Sequence, residues 1–309
     1  MLGTIVQYHH LIKPTVCACL FSATLATAAA PAPPLRVPVL MLASAPRVDG
    51  DLGEWGNSDW IKLPITPALS KADRAKYGLE PNDDKNQTGN LDVQMKAGVF
   101  GSRFYLAFKY PDSTEDATLR QWEWRGEKYV ESKQYDDLFA VRFHMSGDFD
   151  RSMLTTASYA VDVWLWSAAR TNPNGLAEDM SHQVSTKPIE NAAEFEPSGA
   201  KTIYIKKSRD AGTELFSTTP KPKANKGDRV PLHELVAAKG SSADVAAKGR
   251  WKSGYWQLEF GRALNTGNAD DVVLKPGLTV LGQIAVFNQG YAEHKSVSEP
   301  LLFDFSALK

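Results

Sequence analysis

LDVQMKAGVFGSRFYLAFKY, residues Leu91–Tyr110, is the stretch that decides the fold. Val93, Met95, Ala97 and Val99 alternate with more polar or smaller neighbours; an FGSR turn follows, and Phe104, Leu106, Phe108 and Tyr110 then repeat the pattern. Successive side chains on a strand point to opposite faces, so this period of two predicts two half-buried strands joined as a hairpin. Further strands are predicted at Leu138–Phe143, Val161–Trp166, Thr202–Lys206, Tyr255–Phe260, Leu278–Phe287 and Leu301–Phe305, with Gly, Pro and Asn between them. Short strands punctuated in this way predict an all-β chain, an antiparallel β-sandwich or jelly roll with a few short helices. The helical signals fall at Lys71–Tyr77 and at Leu232–Lys239, after Pro231. Residues 207–252 are poor in apolar alternation and rich in Lys, Gly, Ser and Pro, which reads as a long surface excursion containing that second helix.

The N-terminus follows a different logic. A weakly basic start (His9, His10, Lys13), the apolar run Thr15–Leu25 and a small-residue ATAAA tract have the order of a secretory signal peptide spanning residues 1–28. A Pro/Ala-rich lead-in (29–47) and a single domain (48–309) are expected to follow. The apolar run is shorter than the roughly 18 residues that a membrane span needs, and no other stretch comes close, so no span is expected.

Both cysteines, Cys17 and Cys19, lie inside the expected leader. The exported chain would then have no thiol for a disulfide, an iron–sulfur cluster, a thiolate zinc site or a C-x-x-C-H haem attachment. A net charge of −1 gives no basic face for nucleic acid. Nucleophile elbows, H-E-x-x-H and Gly-rich phosphate loops are absent, so nothing in the sequence supports a catalytic site. Asp49, Asp51 and Glu54 form an acidic group without EF-hand spacing, for which an Asp-Gly turn is the simpler account. After the leader, the side chains able to ligate a metal include four histidines (144, 182, 233, 294) and five methionines (41, 95, 145, 153, 180), together with Lys and Tyr. Spacing alone singles out none of them.

Three blocks carry a resemblance. VDGDLGEW (Val48–Trp55) resembles the opening of family-9-type carbohydrate-binding modules. DVWLWSAARTNPNGLAEDMSH (Asp162–His182) resembles the D-V-W-x-W block of ethylbenzene-dehydrogenase-related haem-binding domains. WQLEFGRALNTGNADDVVLKPG (Trp256–Gly277) and IAVFNQGYAEHKSVSEPLL (Ile284–Leu302) are similar to the end of the same domain. The resemblance implies a β-sandwich like the γ subunits of periplasmic molybdenum enzymes, holding a non-covalent haem b between an axial Met and an axial Lys. By position these are Met153 in DRSMLTT and Lys295 in KSVS, with Met145 and His294 as neighbouring alternatives. The family often carries His between the two tryptophans; Leu165 stands there in this chain.

Other residues have two readings each. Trp164 and Trp166 share one face of a predicted strand and either line a haem slot or fill a core, while Val161, Val163 and Leu165 take the other face. Arg170 and Arg262 either pair with haem propionates or form ion pairs with Asp179 or Asp271. His182 is read as a surface residue. The expected function is a periplasmic, b-type cytochrome-like electron-transfer protein without catalysis of its own. Its expected partners are a molybdopterin catalytic subunit with its iron–sulfur subunit, or a c-type cytochrome. The alternative is a carbohydrate-binding sandwich without haem.

Overall fold

The strands Leu91–Phe100 and Arg103–Pro111 pair antiparallel from Gln94↔Lys109 to Phe100↔Arg103, as their alternation predicts. This computed structural model describes residues 33–80, 85–197, 201–290 and 295–308; the expected leader and His294 lie outside them. From Pro33 onward the chain forms one compact unit. The lead-in is part of the fold: Leu35–Pro38 pairs parallel with Leu301–Asp304, and Leu40–Met41 pairs with Gly98 and Val99.

A fifteen-stranded sheet organises this unit. One half runs Ala193–Phe195, Ile203–Arg209, Glu178–Ser185, Tyr159–Ser167, Leu138–Gly147 and Thr279–Phe287. The short strand Ser296–Ser298 passes the sheet on to a second half of Ile61–Pro67, Leu91–Phe100, Arg103–Pro111, Tyr255–Ala263 and Ala246–Lys252. The halves lie face to face, because side chains from both meet in one buried cluster. Phe108 meets Phe139 with tilted rings at 4.5 Å, Trp166 meets Trp256 edge-on at 4.9 Å, and Phe104 lies 6.2 Å from both Phe143 and Trp164. This is the sandwich: two antiparallel layers around an aromatic interior. The layers approach so closely at Gly249 that a Cβ there would sit 2.4 Å from the Trp166 ring.

The N-terminal acidic group is a turn, as its simpler reading has it. Asp49 accepts from the Asp51 amide, Asp51 caps a 3-10 helix at Leu52–Trp55, and Glu54 accepts from the Arg47 amide. The helix Lys71–Lys76 forms behind a Ser70/Asp73 capping box. The second predicted helix does not form. His233–Leu235 pairs with Phe216–Thr218 instead, and Pro231 closes the strand Arg229–Pro231. Eight residues are too few to hold a helix without tertiary support, and here that support comes from strand partners. Residues 207–252 are likewise more than an excursion: their two ends lie in the main sheet, and between them Phe216–Thr218 pairs with His233–Leu235 while Arg229–Pro231 adds a strand to a small sheet with Gln121–Trp124 and Tyr129–Glu131.

Candidate functional site

Strand Tyr159–Ser167 is covered on both faces. Trp164 and Trp166 point into the sandwich and are fully buried. Val161 and Val163 point the other way, into a second hydrophobic cluster with Tyr159, Val184 and Ile203. That outer cluster is closed by residues Phe149, Met153 and Leu154 of the connection that follows Leu138–Gly147.

A pocket opens in this outer face, enclosing about 960 Å³ of non-atom space, part of it continuous with solvent. Its floor comes from alternate residues of four neighbouring strands, among them Ala140, Val163, Leu165, Met180 and Ala285. Its cover comes from Ala68 and Leu69, from residues 151–154, and from Lys295. Met153 and Lys295, remote in sequence, therefore line the same pocket.

Each is held there by its own framework. The Met153 segment is a succession of side-chain-capped turns. Asp150 accepts from the Ser152 amide at 2.9 Å and from the Thr155 hydroxyl at 2.6 Å, and Ser152 Oγ accepts from the Leu154 amide at 3.0 Å. Arg142 ties the segment to the sheet, donating to the Asp150 and Arg151 carbonyls at 2.5 and 2.9 Å and to the Tyr159 hydroxyl at 3.0 Å. Arg151 reaches across to the strand Ile61–Pro67 and the residue after it, donating to Thr66 Oγ1 at 2.7 Å and to the Ala68 carbonyl at 3.2 Å. Lys295 is fixed by its backbone, whose carbonyl accepts from the Ala68 amide at 2.9 Å and from Asn86 at 3.1 Å. Its ammonium lies 5.4 Å from the centre of the Phe287 ring.

The electrostatics are one-sided. Arg142, Arg151, Lys207 and Lys295 line the pocket, and no Asp or Glu among the described residues does. His182 lines it too, only 9% exposed, with no hydrogen-bond partner for Nε2. Burial, with help from the charges of Lys207, Arg142 and Lys295, pushes its pKa down to about 3, so the ring is neutral at ordinary pH. An apolar slot with cations at its lining, a thioether, a primary amine and an unpartnered buried imidazole fits a flat, anionic, metal-containing ligand such as haem.

Other expected site residues lie elsewhere. Trp164 and Trp166 belong to the sandwich core, because the pocket opens on the opposite face of their strand. Arg262 is buried in that interior, paired with Asp162 at 2.7 Å, Asp271 at 3.2 Å and Asp179 at 3.4 Å, with its guanidinium 4.8 Å from the Trp164 ring centre. Of its two readings the ion pair is the one realised. Arg170 donates to Ser167 Oγ and packs over Phe216 at the mouth of a different cleft. Met145 packs at the edge of the sandwich core and lines a separate cavity with Asp271 and Val280. His182 is not at the surface: its residue alternation with Met180, two positions apart on one strand face, was the signal for its inward placement.

Fold and site together define a β-sandwich protein with a ligand pocket on the outer face of one layer. The chain belongs to the ethylbenzene dehydrogenase family, a family of oxidoreductase subunits, whose profile matches residues 53–298. Among solved structures, a protein of Bacteroides uniformis provisionally described as carbohydrate-binding aligns over 86% of this chain and 89% of its own. The identity is 10% and the TM-score 0.36. No curated protein matches. Among the described residues no helix is long and apolar enough to cross a membrane.

Proposed function

We propose that the chain is a b-type haem protein that passes electrons for a molybdenum oxidoreductase and has no catalytic site of its own. The observation that carries this reading is the convergence of Met153 and Lys295 on one apolar pocket free of carboxylates among its described lining residues. Haem, when bound, supplies reversible one-electron transfer. Met153 would offer its thioether and Lys295 its amine as iron ligands, the latter as the neutral amine, the form that has a lone pair to give. Val163, Leu165 and Ala285 would keep water from the ring. Arg151 and Lys207 add positive charge suited to propionates, while Arg142 holds the Met153 segment in place. With Met153 and Lys295 both holding the iron, no substrate would have access to it.

The leader assigns the protein to the periplasm in this reading. Its partners there would be a molybdopterin catalytic subunit with its iron–sulfur subunit, or a c-type cytochrome. Carbohydrate binding is served less well, since Phe287 is the one Phe, Tyr or Trp among the pocket-lining residues described.

An absorption spectrum of protein from a haem-replete preparation, oxidised and then reduced with dithionite, tests the proposal. A Soret band with sharp reduced α and β bands, extractable by acid acetone, is expected. Met153→Ala should shift or broaden these bands and lower haem content, while the protein remains folded. A featureless spectrum after reconstitution with hemin would overturn the reading and bring carbohydrate binding forward.

A further inference from the structure

On the back of the strands that floor the pocket lies a second constellation, which the electron-transfer reading does not use. Asp162 and Asp179 project from the sandwich face of two adjacent strands, opposite Val163 and Met180. Asp210, just beyond the strand Ile203–Arg209, and Asp270 and Asp271, just before Val272, come to the same place, with Asp244 beside them. Six carboxylates thus gather where the cation paired with them is Arg262.

Arg262 does not satisfy them. Its guanidinium fills the space between Asp162, Asp179 and Asp271. It makes no ion pair with Asp210 or Asp270, whose oxygens lie with that of Asp271 within 4.8 Å of one another. Asp210 is 5% exposed, and neither of its carboxylate oxygens has a hydrogen-bond partner. One oxygen each of Asp162, Asp179 and Asp244 is also buried without a partner. Asp270 is oriented by the Ala211 amide at 2.9 Å and the Ser241 hydroxyl at 3.1 Å. Unpaired buried carboxylate oxygens are costly unless protonated or bound to a cation.

We infer that Asp210, Asp270 and Asp271 bind a calcium ion. Only oxygens are offered, without sulfur or imidazole, which selects a hard cation. Calcium accepts a variable number of oxygen ligands, which suits this irregular set better than the strict octahedron of magnesium. The ion would join two segments remote in sequence and would bring positive charge to Asp210 and Asp270, with which Arg262 makes no ion pair. This site is independent of the haem proposal.

The test uses the full exported chain, stripped with EGTA and titrated with calcium, then with terbium. Calcium at millimolar level is expected to raise the melting temperature by roughly 5 °C, an effect of the size tight ligand binding gives a chain this long. Terbium should show luminescence sensitised by Trp164, which lies against Arg262, and calcium should quench it by displacement. Asp210→Asn should abolish both responses; should that variant fail to fold, Asp270→Asn takes its place. No melting shift and no sensitised luminescence in the wild-type chain would overturn the site. So would equal responses in wild type and variant.

Discussion

His182 behaves as a reporter for the pocket. Its imidazole is neutral in the folded chain, with a pKa near 3, and returns to about 6.5 on unfolding. The folded state therefore binds fewer protons than the unfolded state between these values. The resulting stability is fully present above about 6.5 and is lost as pH falls toward 3. His182→Leu should remove this component: in haem-free protein, the stability difference from wild type should move in favour of the variant as pH falls from 7 to 4.5. Urea melts at the two pH values measure it, and a constant difference would contradict the buried, neutral imidazole. Gly147 is a second informative residue, with φ +80° and space so tight that a Cβ would lie 2.1 Å from the Ser158 carbonyl. Gly147→Ala should cost about 1–3 kcal/mol and displace the Met153 segment that begins there, visible as lowered haem content. In the sequence, Met153 and Lys295 were accessible only through the family blocks, since no spacing rule joins residues so far apart. His182 was legible in principle, as the second of two inward positions on one strand, but a polar residue at a strand position reads as exposed until a cover is known.

The element that separates core from pocket is the strand Tyr159–Ser167. Its even-numbered tryptophans build the sandwich and its odd-numbered aliphatic residues build the ligand face. The two faces should fail differently. Trp164→Ala empties a fully buried site and should cost about 3–5 kcal/mol in a urea titration. Ala140→Phe, on the neighbouring strand and facing the pocket, should leave stability within about 1 kcal/mol and block haem uptake. If instead Trp164→Ala spared stability and lost haem alone, the assignment of faces would be reversed. Alternation made the strands legible and also showed this one to be covered twice. It did not say which cover was a core and which a pocket, because large aromatics and a flat ligand call for similar neighbours. The covering segments, residues 66–69 and 149–154, decide that question, and they are irregular. The short strand His233–Leu235 was illegible for a related reason: its partner Phe216–Thr218 lies outside any local window.

Across the whole molecule, burial raises the pKa of several carboxylates at once. Asp137 and Glu259 are pushed up to about 7, Asp244 to about 6 and Asp210 to about 8. Each binds its proton more firmly folded than unfolded. The stability this gives is present below about 4 and is lost as pH rises through the folded values. Protein kept in EGTA should accordingly melt at a higher temperature at pH 5.5 than at pH 8.5, and calorimetry at the two values checks this. A melting point that rose with pH would mean that the buried carboxylates are ionised and satisfied in the folded state. In saturating calcium the difference should shrink, since the ion replaces the protons at Asp210. The sandwich was legible in outline because two-faced strands dominate the sequence. The gathering of six aspartates was not, because five separate stretches of the chain bring them together.

The doubly covered strand has a consequence for how the chain tolerates change. Strand Leu91–Phe100 buries its Val93, Met95 and Ala97 and exposes Asp92 and Gln94, so a saturation scan there should alternate between constrained and permissive positions. Along Tyr159–Ser167 no residue is exposed. A scan of that strand should show no rhythm at all, since every second substitution harms folding and, if the pocket holds the proposed haem, the ones between harm its binding. Drift in such a segment is confined from both sides, and two unlike selective pressures are written into one run of nine residues.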